Sequence, residues 1–444
     1  MRKSLLSASI AFFVAGVSLQ ANATSLLDAY KDAMQNDPAT LKAKAQYDIA
    51  KESEETAFSS LLPNIGFRGS YEMANYQGTS TETGNDFDTD ENTLSYGFSL
   101  SQTIFNMGDW YSLDASEKRA LQAQAGYDLA QQALISRVTR AYFDVLKAQD
   151  NLEFVQAEKK AIERQLVQTR ERFNVGLTAI TDVHEAQAKF DNAVATEIRA
   201  SNNVEIAKEG LREITGKYYA NFDGLNTMRF EATMPSPANV QSWVTKSENA
   251  NLELKSKELA LEAAKFDIKQ ARSGHYPTLT LDASIGSSEK ETNSVTGEPT
   301  DSSTIGLTLN VPIYTGGATT SRVRSAQASY VVASEDRELT HRSVVRQVRT
   351  SYADVVALVS SIKALEQSVV SADSALKATQ AGFEVGTRTI VDVLNSTQNL
   401  YRAKSSLSSA RYDYILAMMS LKQSSGALTS QDVEAVDSGL AKSS

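Results

Sequence analysis

Four segments of the chain alternate between apolar and polar residues with a period of two. Their apolar members are Ile65, Phe67, Tyr71 and Met73; Leu94, Tyr96, Phe98 and Leu100; Leu279, Leu281, Ala283 and Ile285; and Ile305, Leu307, Leu309 and Val311. This period over about ten residues indicates strands with one apolar and one polar face. The predicted strands lie at about residues 63–76, 93–105, 277–286 and 304–314, with exposed polar hairpin loops at 77–92 and 287–303.

The alternation is compatible with two kinds of sheet. It fits strands with one face in lipid and the other in water, and equally a soluble sheet that packs on helices through one face. Four strands cannot close a barrel, and an open sheet with an apolar outer face must be covered. Several copies of the chain could close such a sheet together.

Two long tracts, residues 112–174 and 321–384, contain none of the seven prolines and one glycine each, Gly126 and Gly382. We predict that both tracts are helices. About 63 residues, at 1.5 Å per residue, give roughly 95 Å of helix, which only helices of similar length can cover. Apolar residues recur in the first tract at coiled-coil spacing. They are Val138, Tyr142, Val145, Leu152, Val155, Ile162, Leu166 and Phe173.

The second half of the chain repeats the first. FNVGLTAITDV at 173–183 returns as FEVGTRTIVDV at 383–393, and VTRAYFDV at 138–145 returns as VRTSYADV at 348–355. Both offsets are 210 residues (383 − 173 and 348 − 138). A constant offset with shared Gly, Tyr and Asp favours a duplicated unit over the general similarity of helical sequences.

Each predicted repeat consists of a helix, two strands, a long helix, a turn and a shorter helix. The predicted divisions are a first repeat at 24–216 with its shorter helix at 179–215, a mixed segment at 217–247, a second repeat at 248–426 with its shorter helix at 388–425, and a tail at 427–444.

The N-terminus has the pattern of a cleaved signal peptide. Arg2 and Lys3 precede an apolar run from Leu5 to Leu19, which is followed by the small-residue pattern ANA at Ala21 to Ala23 and predicts a signal peptide at residues 1–23. Without Arg2 and Lys3, the 44 basic residues become 42 against 54 acidic ones, a net charge of −12 that argues against nucleic acid binding. No run of about 18 consecutive apolar residues follows residue 23, so we expect no transmembrane helix. Periplasmic, secreted and outer-membrane barrel proteins remain open as classes.

Residues that carry catalysis or bind metals are scarce. The chain has no cysteine, and its three histidines, His184, His275 and His341, are far apart in the sequence. It also lacks a glycine-rich phosphate loop. A lone histidine on a polar helix is usually a solvated side chain rather than a ligand. We therefore expect a protein with no enzymatic activity, no metal and no cofactor.

The signal peptide, the two-fold order of helix, strand, strand and helix, and the motifs RFNVGLTAITDV and VGTRTIVDVLN together resemble the TolC family of outer-membrane efflux proteins. The resemblance covers essentially all of the chain after residue 23. It implies a mixed α and β fold that forms a homotrimer. In that trimer twelve strands, four from each chain, would make one transmembrane β-barrel, and twelve helices would continue it as a periplasmic α-barrel.

The same resemblance implies a function and partners. The protein would be an outer-membrane exit duct for multidrug efflux and type I protein secretion, surrounded by outer-membrane lipid and extending into the periplasm. Its partners would be a periplasmic adaptor (membrane fusion) protein and an inner-membrane pump or ABC transporter. The alternative is a periplasmic coiled-coil adaptor or structural protein, although an adaptor normally has one helical hairpin rather than two.

The repeated stretch holds a glycine and an aspartate at a fixed distance. Gly176 and Gly386 fit the position just past a helix C-terminus, where glycine readily adopts a left-handed conformation. Asp182 and Asp392 fall near the start of the next helix, where carboxylates complement exposed amides. The residues alone leave open whether these aspartates only cap helices.

The family resemblance implies a gate at these turns. Arg388 would bond to Asp182 and Thr181 of a neighbouring chain, and Asp392 would project into the narrowed entrance.

Two positions depart from the family pattern. Phe383 stands where a tyrosine often supplies a hydroxyl link, and Asn395 stands at the entrance constriction where a second aspartate often lies. These departures imply a weaker latch and one ring of carboxylates rather than two.

Overall fold

The computed structural model describes residues 23–82 and 84–441. The predicted signal peptide lies outside the described residues except for its last residue. The elements of the first half are α1 (Leu26–Asn36), α2 (Pro38–Ser59), β1 (Asn64–Thr79), β2 (Asp86–Phe105), α3 (Met107–Asn174) and α4 (Ile180–Thr215). After β3 (Gly224–Leu225) come α5 (Val240–Ala250), α6 (Leu252–Ser273), β4 (Thr278–Thr292), β5 (Val295–Thr296), β6 (Thr300–Asn310), α7 (Ala318–Glu384), α8 (Ile390–Ser424), α9 (Ser430–Asp437) and β7 (Leu440–Ala441).

Each half opens on two helices rather than on the single helix predicted. Asp37 caps α2 by accepting a hydrogen bond from the backbone N–H of Thr40 at 2.8 Å, and Pro38 has no N–H with which to continue α1. Asn251 separates α5 from α6 in a similar way, because its side chain accepts from the N–H of Leu254 at 3.0 Å. Helix α5 therefore begins inside the segment that was expected to be mixed, 217–247.

Four long antiparallel strands form one sheet in the order β1, β2, β4, β6, and β5 pairs with the end of β4. The register places Phe67 opposite Phe98, and Phe98 opposite Ile285, so the apolar residues share one face. That face is uncovered, with Met73 73% and Ile305 78% exposed. None of the described helices makes an extensive contact with the sheet. The alternative of a soluble sheet packed on helices is therefore wrong.

The paired strands extend into segments that were predicted to be loops. β2 begins at Asp86 rather than near residue 93, and β4 reaches Thr292 rather than ending near residue 286. Backbone pairing does not require alternating side chains, and polar groups support the ladder here. Asn75 on β1 donates hydrogen bonds to Asp88 at 2.7 Å and to Asp90 at 2.8 Å on β2.

The last strand ends earlier than predicted. β6 stops at Asn310, whereas the alternation extended it to residue 314. Pro312 accounts for the difference, because proline has no N–H to donate to a ladder and is rarely accommodated inside a strand.

The two long helices, α3 and α7, have 68 and 67 residues, which corresponds to about 100 Å each. α3 starts before the predicted residue 112, because the side chain of Asn106 accepts a hydrogen bond from the N–H of Gly108 at 2.9 Å and caps it. α3 packs on α2, α4, α6 and α8, and α7 packs on α6 and α8. Pairs of shorter helices thus cover each long helix along its length.

Average hydropathy singles out one described helix. α7 contains a window of mean hydropathy 1.4, long and apolar enough to cross a membrane by composition, and 11% of that window is buried. We expected no transmembrane helix because no long unbroken apolar run follows residue 23. The average hydropathy of α7 does not support that expectation. α7 packs lengthwise on α6 and α8, and much of its apolar surface faces outward from the single chain.

The largest core lies midway along the helices, where α1 and α9 pack against α3. Tyr142 is fully buried there, with its hydroxyl oxygen 2.9 Å from the carbonyl oxygens of both Thr24 and Asp223. Burial raises the pKa of Tyr142. β3 pairs with β7 and thereby joins the middle segment to the C-terminal tail. This core lies about 50 Å along α3 from the helical turns.

Candidate gate at the paired helical turns

The turns after α3 and α7 have the same backbone geometry. In the first turn, residues 175–179, Gly176 has φ +78°, and the N–H of Leu177 donates to the carbonyl of Arg172 at 2.8 Å. In the second turn, residues 385–389, Gly386 has φ +81°, and the N–H of Thr387 donates to the carbonyl of Gly382 at 2.8 Å. Both glycines end a helix in the left-handed conformation that other residues rarely adopt.

The aspartate after each turn interacts with its own turn. The Asp392 carboxylate accepts from the N–H of Thr389 at 3.0 Å, while the Thr389 hydroxyl accepts from the N–H of Asp392 at 3.2 Å, forming a capping box. These hydrogen bonds from Thr389 hold the pKa of Asp392 below its usual value. In the first turn the hydroxyl of Thr178 donates to the Asp182 carboxylate. Within one chain, both aspartates therefore help to fix the start of a helix.

Arg388 and Thr181 are exposed at the turns. Among the described residues of the single chain, no hydrogen bond or ion pair joins Arg388 to Asp182 or Thr181. The stem of Arg388 instead lies beside Gly382, where an added Cβ would be 2.7 Å from the Arg388 Cγ. The guanidinium is thus left at the surface, where a neighbouring chain can reach it.

Asn395 makes a contact that was not anticipated. Its side-chain oxygen accepts a hydrogen bond from Lys189 Nζ at 3.2 Å. Lys189 lies on α4 and Asn395 on α8, so this bond joins the two helical hairpins one turn beyond Asp392.

An apolar cluster behind the turns was only partly predicted from the sequence, through the coiled-coil spacing of Ile162 and Leu166. It contains Ile162, Leu166, Ala186, Ala193, Phe383, Ile390, Val393 and Leu394. Phe383 is 8% exposed, and the Arg172 guanidinium carbon lies 4.7 Å from its ring centroid. One sequence feature could have pointed to the contact of Arg172 with Phe383. Arg172 and Gly382 are equivalent positions, one residue before the repeated stretch (382 − 172 = 210), but one is an arginine and the other a glycine.

Packing is less complete between α3, α4 and α8 near the turns. A cavity of about 400 Å³ lies there, lined by Glu158, Lys189 and Leu394 among others. Burial raises the pKa of Glu158, against the attraction of Arg402 and Lys189. A region with voids and partly buried charge repacks more readily than the dense core around Tyr142.

A sheet with an uncovered apolar face, joined to helical hairpins about 100 Å long that end in exposed turns, defines a class of outer-membrane channel protein. The model of the outer membrane efflux protein family matches residues 29–217 and 243–427. This chain belongs to the outer membrane efflux protein family.

Relatives and solved structures agree with this assignment. The chain is 44% identical to outer membrane protein TolC of Vibrio cholerae, over 94% of each chain, and 41% identical to TolC of Escherichia coli, over 99% of this chain and 90% of the relative. It is 30% identical to the alkaline protease secretion protein AprF of Pseudomonas aeruginosa, over 93% of this chain and 87% of that protein.

The solved structure of the Campylobacter jejuni CmeC outer membrane channel matches with a TM-score of 0.79 at 17% identity, over 99% of this chain and 98% of that one. CusC matches with a TM-score of 0.79 at 16% identity, over 91% and 93%. The resemblance to the TolC family, the outer-membrane location and the absence of enzymatic activity are thus confirmed.

Proposed function

We propose that this chain is the outer-membrane exit duct for multidrug efflux and type I protein secretion. The uncovered apolar face of the sheet carries the proposal, because a face of that composition and exposure requires lipid on its outer side. The relatives include both an outer membrane efflux protein and secretion proteins for proteases, which supports small molecules and proteins as cargo. The duct would use no energy of its own.

The sheet supports a closed trimer. Its edge strands in the single chain are β1 and β6, and the antiparallel order makes them run in opposite directions. β6 of one chain can therefore pair antiparallel with β1 of the next chain, and three copies of four long strands close a twelve-stranded barrel. The two halves would be structural repeats, and twelve helical columns would continue the barrel through the periplasm.

The helices support partners in the periplasm. Hairpins about 100 Å long reach far from any membrane that holds the sheet, so their turns lie where a periplasmic adaptor and an inner-membrane pump or ABC transporter could dock. An adaptor as the alternative function is not favoured, because it does not explain a lipid-facing sheet.

The turns would form the gate. In the trimer six turns meet at the inner end, with Arg388 of one chain bonded to Asp182 and Thr181 of its neighbour, and with Asp392 and Asn395 at the entrance. The exposure of Arg388 and Thr181 in the single chain supports this arrangement.

Two measurements test the proposed function. Membrane fractionation with and without heating before electrophoresis should give an outer-membrane species whose mobility changes on heating. Deletion of the gene should raise sensitivity to dyes, detergents and bile acids and stop export of a type I substrate, and the wild-type gene should restore both. A soluble monomer, or a deletion strain with unchanged sensitivity and export, would refute the duct.

A further inference from the structure

The guanidinium of Arg172 has an aromatic ring as its visible partner. Its central carbon lies 4.7 Å from the ring centroid of Phe383, well inside the range of about 6 Å for cation–π attraction. Its Nε atom is buried and has no hydrogen-bond partner among the described residues. No ion pair of Arg172 is found in that part of the chain either. The ring face is therefore what holds the cation at this position.

The two residues lie on different hairpins. Arg172 is in the last turn of α3, and Phe383 is in the last turn of α7, each a few residues before its left-handed glycine. The end of α3 also favours a cation, because the helix dipole is negative there. Contact between the ring and the guanidinium thus ties the first turn to the second within one chain.

The two repeats differ at the position of Arg172, so this contact occurs once in each chain. The residue equivalent to Arg172 in the second half is Gly382, which cannot bind a ring and instead accommodates the stem of Arg388. One position of the repeat therefore supplies a cation to a ring inside the chain. The equivalent position, Gly382, leaves space for the side chain of Arg388, which we propose reaches the neighbouring chain.

We infer that Arg172 and Phe383 form a clasp that holds the two hairpins of each chain together in the closed state. This inference rests on the proposed gate. Phe383 lacks the hydroxyl that a tyrosine would supply, and a cation–π contact would link the two hairpins there instead. Phe383 is 8% exposed, so added salt screens the contact only weakly.

Single-channel conductance of purified trimers in planar bilayers tests the clasp. Arg172→Gln removes the cation and is expected to raise conductance. The open-to-closed ratio should rise about fivefold for each chain, and about a hundredfold when three copies act together. Phe383→Leu should raise conductance similarly, the double variant should add little to either single variant, and Phe383→Tyr should stay closed because it keeps the ring.

Arg170→Gln is the matched control. Arg170 lies two residues away and donates to Gln187 Oε1 at 2.5 Å, a contact within the first hairpin only. Its replacement should leave conductance unchanged. The clasp is overturned if Arg172→Gln trimers conduct like the wild type, or if the effect of Arg172→Gln is as large in Phe383→Leu as in the wild type.

A distance measurement between two labels does not depend on conduction, so it tests the clasp independently of the proposed duct function. The chain has no cysteine, so spin labels can be placed at the exposed Val175 and Val385, in trimers diluted to one labelled chain. Arg172→Gln should lengthen and broaden the distance distribution between the two labels. An unchanged distribution overturns the clasp even if the wild type is a duct. A wild type that never conducts refutes the duct while this distance still tests the clasp.

Discussion

At the scale of single residues, Arg388 is the main proposed contact between neighbouring chains, because Phe383 has no hydroxyl with which to share it. A charge-assisted hydrogen bond contributes about 1.5–3 kcal/mol. Arg388→Ser should therefore shift the closed entrance toward open and raise single-channel conductance and uptake of bulky antibiotics. Trimer assembly should not change, because the barrel and the core around Tyr142 are distant from the turn.

The controls for Arg388 come from the same helical hairpins. Lys377→Ser removes an exposed cation whose ion pair, among the described residues, is with Asp373 on its own helix, at 2.6 Å, and should have no effect. Adding Asp182→Ala to Arg388→Ser should contribute little more, since both changes remove one bond. Wild-type conductance in assembled Arg388→Ser trimers would leave the turn with a structural role only.

Asp392 has two separable roles, a helix cap and a charge at the entrance. Asp392→Asn removes the charge but keeps a side-chain oxygen for the Thr389 N–H, so we expect lower cation selectivity with the turn intact. Reversal potentials in asymmetric KCl measure this, and Asp373→Asn, a partly exposed acid away from the turn, serves as the control. If selectivity in Asp392→Asn equals that of the wild type, Asp392 acts only as a cap.

The pH dependence of that selectivity follows from the hydrogen bonds of Asp392. Because its pKa lies below the ordinary aspartate value of 3.8, the carboxylate stays charged as pH falls to that value. Cation selectivity from Asp392 should thus be retained well above the ordinary aspartate value and should be lost as pH falls through the lowered pKa. The capping box contributes stability over the same range and is weakened by the same protonation.

Residue identity predicted some of this site and not the rest. A glycine in a repeated stretch after a long helix indicates a left-handed turn without any tertiary information, and Gly176 and Gly386 have that conformation. The contact of Arg172 with Phe383 depends on how two hairpins separated by 210 residues pack together (383 − 173). No local pattern encodes that packing.

At the scale of elements, β2 and β4 join the two halves of the chain through an unusually close approach. Gly97 and Gly286 are opposite each other, and a Cβ on Gly286 would lie 2.8 Å from the Tyr96 carbonyl oxygen. Gly286→Val should therefore strain the sheet by about 1–3 kcal/mol. We expect a smaller fraction of trimer and a lower temperature for the heat-induced shift in gel mobility.

Gly306→Val is the matched control on β6, since an added Cβ there has no neighbour within 4 Å. It places the same side chain in the same sheet without a clash inside the chain. Equal thermal stability of the two variants would show that the strands can separate at Gly286 without cost.

The sequence predicted the types of the long elements better than their limits. Proline positions and apolar spacing indicated both long helices, because such helices exclude proline throughout. The strand limits were missed because alternation records which face meets lipid, whereas the backbone pairing continues past Asn75 and Asp90, where apolar and polar residues no longer alternate. The break between α1 and α2 at Asp37 was not predicted. Proline at the start of α2 separates the two helices, but the pattern of polar and apolar residues continues across it.

At the scale of the whole molecule, the single chain is incomplete in a defined way. Its sheet has an apolar face without cover and two edges without partners, and α7 leaves much of an apolar window exposed. Alternation in the sequence already indicated that several copies could close the sheet together. The number of copies does not follow from one chain, because each edge is equally satisfied by a barrel of any allowed size.

Closure of the sheet between chains can be tested with engineered disulfides, since the chain has no cysteine of its own. We expect Ile65→Cys on β1, combined in turn with Ile305→Cys, Leu307→Cys or Leu309→Cys on β6, to give a dimer and trimer ladder on non-reducing gels for at least one pair. Within one chain β1 and β6 are separated by β2 and β4, which places them about 14 Å apart in the sheet, beyond the reach of a disulfide. A ladder therefore reports contact between chains.

The pair Ala283→Cys and Ile305→Cys, directly opposite each other inside one chain, should form an internal disulfide and no ladder. If all three β1–β6 pairs remain monomeric in the outer-membrane fraction while the internal pair oxidises, the edges of the sheet do not meet and the trimeric barrel is wrong.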